Sequence, residues 1–174
     1  KRIKPEGNWR KQYKIGQNRI DVTDLETITI DPETAMDFDD ALSLRTLDNG
    51  DVEVWVHSAS PIDFVQPNSA SFKEAMFRGT SVYLKGGVIP MIHPFYSGGV
   101  DADGTHHEGV ASLVEGKERV TNSIVFTFRN GKLVRKPPPF KAMTVMKSQK
   151  RFAYEGAQAV ADGKADSPHR KMIL

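Results

Sequence analysis

Four aspartates crowd one short stretch: Asp31, Asp37, Asp39 and Asp40, in Ile30-Asp31-Pro32-Glu33-Thr34-Ala35-Met36-Asp37-Phe38-Asp39-Asp40, where apolar residues interrupt the acids. Two like charges about 4 Å apart repel by roughly 4 kcal/mol at an effective dielectric near 20. A fold that gathers four carboxylates therefore needs a compensating cation or raised pKa values. Carboxylate-only sites suit hard cations such as Mg²⁺ or Mn²⁺. Phosphodiester hydrolysis is a chemistry such sites serve, one ion activating water and a second steadying the leaving oxygen. Taken alone, the segment also suits a solvated turn, a set of helix caps or a Ca²⁺-binding structural loop. An EF-hand does not fit, because the glycine and the terminal glutamate of that loop are missing.

Other residues offer weaker chemistry. Tyr83, in Thr80-Ser81-Val82-Tyr83-Leu84, would stack on a base if it lined a nucleic-acid channel. As a strand residue it equally suits a core. Tyr154 poses the same choice. Adjacent His106 and His107 point apart and have no partner cluster, and His57 and His93 read as structural. Arg78, Arg119 and Lys147 are candidate phosphate contacts, with surface charge as the ordinary alternative.

The elements that must position these groups follow from pattern. Alternation predicts strands over 27–31 (Ile28 and Ile30 on one face), 41–46 (Leu42 and Leu44 inward) and 51–57. Asn49-Gly50 and Asn130-Gly131 mark hairpin turns. Val52, Val54 and Val56 share one face of the third strand; Glu53, Trp55 and His57 share the other. A helix capped by Asn68-Ser69 is expected to reach Arg78, with Phe72, Ala75 and Met76 buried, and Gly79 ending it. Residues 81–84 read as extended and 86–103 as irregular. Strands are expected over 111–113, 120–128, 132–135 and 144–146, and a helix over 152–161. Pro137-Pro138-Pro139 is a stiff break.

The 174 residues suffice for one domain with a core, and 39% hydrophobic with 26% charged residues describes a globular chain. Cysteine is absent, which excludes disulfides and thiolate metal sites and fits a reducing, cytoplasmic compartment. No apolar run nears 18 residues, so no membrane span is expected, and no secretory signal is recognisable. The first residue is Lys1, as expected for a piece of a longer polypeptide. Net charge is only +2, but residues 1–20 hold seven bases and one acid, 31–63 nine acids and one base, and 132–151 seven bases and no acid. An acid patch between basic segments suits a polyanion held beside metal ions. Residues 1–24 read as a basic linker or the end of a preceding domain, 25–165 as the domain, and 166–174 as a polar tail.

The stretch from Thr29 to Leu42 resembles the signature of the ribonuclease II / ribonuclease R catalytic domain, the RNB domain: a TID strand end, a spaced Asp, then Asp-x-Asp-Asp. Further similarities follow in the family's order. Val56-His57 with Ala59 resembles its VHIAD strand. Arg78 to Leu84, Ile89-Pro90-Met91, Ala111-Ser112-Leu113 with Arg119, and Ser148 with Tyr154-Glu155 resemble later segments. The likeness covers roughly Thr27 to Gly163. It implies an α+β fold, a mixed or antiparallel sheet with flanking helices, forming the N-terminal half of an RNB domain. It also implies a Mg²⁺-dependent (or Mn²⁺-dependent) 3′→5′ exoribonuclease releasing nucleoside 5′-monophosphates from single-stranded RNA. By position, Asp31 and Asp40 would be metal ligands, Asp39 the most sensitive catalytic carboxylate and Asp37 its support. Tyr83 would stack on the terminal base, Tyr154 would help select ribose, and Arg78 would contact RNA. Ribose selection has a physical handle in the 2′-OH.

Departures from the family pattern are specific. Its IAD is Ser58-Ala59-Ser60 here, the proline after YL is Lys85, and the cysteine of CSL is Ala111. The family's arginine for the scissile phosphate belongs to a later segment, so the chain is expected to carry the metal-binding half of the site. A catalytically inactive RNA-binding relative is the alternative that these departures raise.

Overall fold

The computed structural model describes residues 18–136 and 138–174. Its centre is an eight-stranded sheet with the order β1-β11-β9-β4-β3-β2-β12, β10 pairing on β9. The strands are β1 (Ile20–Asp21), β2 (Thr27–Asp31), β3 (Asp40–Thr46), β4 (Val52–Ala59), β9 (Glu118–Arg129), β10 (Lys132–Leu133), β11 (Phe140–Lys147) and β12 (Lys150–Ala153). The interior pairs are antiparallel, and the two edges, β1 on β11 and β12 on β2, are parallel. The α+β expectation holds. Two small hairpins stand apart from the sheet: β5 (Val82–Leu84) with β6 (Gly87–Ile89), and β7 (Gly99–Val100) with β8 (His106–His107). The helices are α1 (Ala70–Arg78), α2 (Pro94–Ser97), α3 (Tyr154–Ala161) and α4 (Arg170–Ile173). No helix among the described residues is long and apolar enough to cross a membrane.

The sheet's more deeply buried face is its polar one. On β4 the buried residues are Glu53, Trp55 and His57; on β3 they are Ala41 and Ser43. Leu42 and Leu44, expected inward, instead lie on the opposite face, partly buried against the cluster of Ile28, Phe152, Ala157, Val160 and Met172 beneath α3 and α4. The inversion is tolerated because the buried polar atoms are paired. Trp55 Nε1 donates to Glu53 Oε2 at 3.0 Å, and Arg45 holds the same carboxylate. His57 bridges Ser43 Oγ at 2.8 Å and Ser123 Oγ at 2.7 Å. Beside them pack Val22, Ala41, Trp55, Leu113, Val125 and Met146.

Several local expectations shift. Residues 111–113 are a buried bent segment, not a strand, because their backbone bonds to loops: Ala111 N donates to Tyr96 O and Leu113 N to Phe38 O. Ser69 caps α1 through a bond from Phe72 N and Gly79 ends it at φ 70°, as expected, but α1 buries none of its residues and Phe77 is 88% exposed. Phe152 belongs to β12, so α3 starts only at Tyr154. The 86–103 segment contains β6, α2 and β7 rather than being irregular throughout. Of the expected linker, Ile20–Asp21 joins the sheet and Val22 enters the core; Trp9, Tyr13 and Ile15 lie outside the described residues. Of the expected polar tail, Met172 is buried.

Candidate active site

The aspartates sit where two strands part. β2 and β3 pair only through Thr27↔Ser43 and Ile28↔Leu42. Beyond that point β2 stays with β12, placing Asp31 opposite Ala153, while β3 runs with β4, placing Asp40 opposite Ser58. Loop 32–39 joins the diverging ends, with Asp31 closing β2 and Asp40 opening β3. The loop is pinned at several atoms. Phe38 N donates to Ser112 Oγ at 3.0 Å, Leu113 N to Phe38 O at 2.8 Å, and Ala59 N to Asp39 O at 2.7 Å. Gly98 presses against it: a Cβ there would clash with Met36 O, and its φ of +101° disfavours any L side chain. Gly98 carried no sequence signal beyond lying in a glycine-rich stretch.

The four carboxylates share one electrostatic environment. Burial raises the Asp31 pKa most; Asp37 and Asp40 raise it further, against Arg151, which lowers it. The Thr29 hydroxyl approaches closely enough to favour the Asp31 charge but closes no geometric hydrogen bond, its Oγ1 being buried without a partner. Asp39 is also raised, first by desolvation and then by Asp37, Asp40 and Asp31. Asp39 is an exposed residue overall, so its desolvation comes from the immediate surroundings of the carboxyl and is modest. Asp31 Oδ2 is buried and accepts no hydrogen bond in the structure.

Among the described residues, no three His, Asp or Glu side chains stand close enough to ligate one ion as they lie. The donor chemistry nonetheless fits a hard cation: every donor is a carboxylate oxygen, the charges repel one another, and one oxygen is orphaned. Mg²⁺ keeps several waters and takes substrate phosphate oxygens, so it does not need a closed protein cage.

The other candidates divide. Tyr83 is 69% exposed, and its hydroxyl pKa is raised chiefly by Asp37, then by burial and Asp39, so the hydroxyl lies within electrostatic reach of the cluster. Tyr154 is 55% exposed and directly follows Ala153, the register partner of Asp31. Arg78 is not brought to the carboxylates by any contact in the structure. Its Nε holds Glu74 at 2.8 Å and its Nη1 donates to Pro90 O, clasping the end of α1 to the chain beyond β6. Arg119 is neither a phosphate contact nor surface charge: it is buried and bonds Ser112 O, Glu118 O and Glu108. Lys147 is exposed at the end of β11. His107 pairs with Asp101 at 2.6 Å and stacks edge-on with His93. Ser60, where the resemblance leads one to expect an acid, is buried and accepts from Asn122 Nδ2 at 3.0 Å. Arg151 was not singled out from sequence, yet it is the cation at this site; its only signal was its place in the basic run 132–151.

Residues 19–173 match the RNB domain family. The chain belongs to that family. This RNB chain is 40% identical over 162 residues to DIS3-like exonuclease 2 of Schizosaccharomyces pombe, covering 92% of itself and 16% of that relative. It is 42% identical over 147 residues to ribonuclease R of Thermotoga maritima, covering 84% of itself and 19% of that protein. Among solved structures it resembles Mycoplasma genitalium RNase R in complex with ribose-methylated single-stranded RNA. The TM-score is 0.76 with 25% identity, over 94% of this chain and 23% of the other. The RNB chain thus spans less than a quarter of each of these relatives.

Proposed function

We propose that this chain supplies the metal-binding half of a hydrolytic 3′→5′ exoribonuclease site acting on single-stranded RNA with Mg²⁺, Mn²⁺ being an acceptable substitute. The observation that carries the reading is the notch between β2 and β3. It collects four mutually repelling carboxylates, one with a buried and unpartnered oxygen, beside an exposed tyrosine. Similarity to proteins named exonucleases and ribonuclease R supports the substrate class.

Asp31 and Asp40, on the two diverging strands, would hold the ion from opposite sides of the notch. An ion held there would supply Lewis-acid chemistry toward a phosphate oxygen and a water. Asp39 is the carboxylate best suited to orient that water and receive its proton, because its raised pKa makes it a stronger base. Asp37 adds negative charge that acts on both Asp39 and the Tyr83 hydroxyl. The Tyr83 ring offers a stacking surface for the terminal base, worth about 1–3 kcal/mol. Tyr154 follows Ala153, the partner of Asp31, and its proposed role is to approach the sugar, where the 2′-OH distinguishes RNA. Arg78 acts on RNA through the hairpin that carries Tyr83, which it helps hold.

The test is cleavage of 3′-end-labelled and 5′-end-labelled single-stranded RNA by the longer protein bearing this domain, with and without Asp39→Asn. Expected are stepwise shortening from the 3′ end and a loss of about 100-fold or more in the variant. RNA binding without cleavage by the unsubstituted protein would instead support the inactive RNA-binding alternative. Equal cleavage by both forms would remove Asp39 from the mechanism.

A further inference from the structure

One side chain touches both ends of the acidic loop. Arg151 Nη2 donates to Pro32 O at 2.7 Å and to Glu33 O at 2.9 Å, at the loop's start. Its guanidinium carbon lies 5.2 Å from the centre of the Phe38 ring, immediately before Asp39. The arginine is itself held firmly. It sits opposite Thr29 in the parallel β12–β2 pair, and its backbone N–H donates to Glu115 Oε2 at 2.8 Å. Its Nε is buried without a partner, as is Asp31 Oδ2.

Two half-buried groups of opposite charge, each with one buried and unpartnered atom, would be expected to close on each other, since an unsatisfied polar atom is costly to bury. No ion pair joins Arg151 to Asp31 among the described residues. The bonds to the Pro32 and Glu33 carbonyls direct the guanidinium to the loop backbone, and the Asp31 oxygen stays open. We infer that Arg151 is the positioning residue of the aspartate cluster, a clasp that sets the course of loop 32–39 while keeping Asp31 available to a divalent cation. This rests on reading the aspartates as a metal site and adds a residue that touches neither ion nor substrate. Lysine would not reproduce it. A flat guanidinium stacks on Phe38 while one of its nitrogens reaches two carbonyls, whereas an ammonium is a compact point charge.

The inference predicts a sign. A mere counter-ion beside the carboxylates competes with metal, so its removal would tighten metal binding. A clasp pre-forms the ligand geometry, so its removal would weaken metal binding. The experiment compares the 174-residue chain with Arg151→Met and Arg151→Lys, using Mn²⁺ binding by electron paramagnetic resonance and amide hydrogen exchange at Ala35 and Phe38. Expected is a loss of Mn²⁺ affinity of about tenfold or more, typical of groups that orient ligands. Faster exchange at both amides should accompany it, and neither change should be restored by lysine. Unchanged or tighter Mn²⁺ binding in Arg151→Met, or full restoration by lysine, overturns the clasp. Should Arg151→Met fail to fold, Arg151→Lys carries the comparison alone. Should the unsubstituted chain bind no Mn²⁺, the metal reading of the aspartates fails, and exchange alone then decides: faster supports the clasp, unchanged overturns it.

Discussion

Asp39 is kept ionised at neutral pH only against the local environment. Packing around its carboxyl and the charges of Asp37, Asp40 and Asp31 all favour its protonated form. A carboxyl with a raised folded-state pKa binds protons more readily folded than unfolded. Its contribution therefore worsens as pH rises through the unfolded value toward the folded one, and at neutral pH it is fully unfavourable. Asp39→Asn should thus stabilise the metal-free chain, raising Tm at pH 7 by something on the order of 2 °C. The gain should fade as pH falls through the raised folded-state pKa, because the native carboxyl then gains its proton. Thermal melts in chelator at pH 7 and pH 4 check this, and a lower Tm for the variant at pH 7 would mean that the carboxylate is a structural group. At this scale the sequence was most informative about local features. The four aspartates lie within one short run, and Tyr83 lies in a recognisable segment. Arg151 and Gly98 reach the same loop through a parallel strand pair and a close backbone approach, and neither leaves a trace in residue spacing.

A hydroxyl and imidazole relay crosses the sheet element by element. Thr27 on β2 meets Ser43 on β3 at 2.6 Å, Ser43 meets His57 on β4, His57 meets Ser123 on β9, and Ser123 meets Thr144 on β11. Each hydroxyl either donates or accepts, so a neutral imidazole completes the chain with one donor and one acceptor nitrogen. Burial lowers the His57 pKa from 6.5 to about 4. The folded state therefore resists protonation that the unfolded state accepts. Stability from this group is complete above pH 6.5 and declines as pH falls toward about 4, by about 3 kcal/mol in all at about 1.36 kcal/mol per unit. Urea unfolding at pH 7, 5.5 and 4.5 should show this decline, and His57→Gln should be less stable at pH 7 yet lose less across the same interval. A parallel decline in both proteins would assign the effect to other groups. The relay also explains which elements were legible. Asn49-Gly50 and Asn130-Gly131 announce their hairpins, because tight turns need residues tolerant of positive φ. The parallel edges formed by β1 and β12 depend on partners more than a hundred residues away. The inverted β3 and β4 faces were hidden too, because residue type alone does not reveal that a polar face will be paired by its neighbours.

For the molecule as a whole, the acidic notch contrasts with the charge pairs elsewhere. Several carboxylates away from it are matched: Asp51 with Arg129, Glu53 with Arg45, Asp63 with Arg19, Glu108 with Arg119. At the notch four like charges gather beside Arg151, whose Nη2 is turned to backbone carbonyls. A site that is costly when empty gains most when filled, because a ligand that binds only the folded chain stabilises it by RT ln(1 + [L]/Kd). At a hundredfold excess over Kd that is about 2.7 kcal/mol, or roughly 5–10 °C in Tm for a domain of this size. Mg²⁺ and Mn²⁺ should therefore raise Tm in a saturable way that chelator reverses. Asp31→Asn should abolish most of the rise, since it replaces the carboxylate whose buried oxygen lacks a partner. Scanning calorimetry across a titration of each ion measures this. A larger shift with Ca²⁺ than with Mn²⁺ would favour a structural calcium site over a nuclease centre. No shift with any of the three would remove the metal reading of the aspartates.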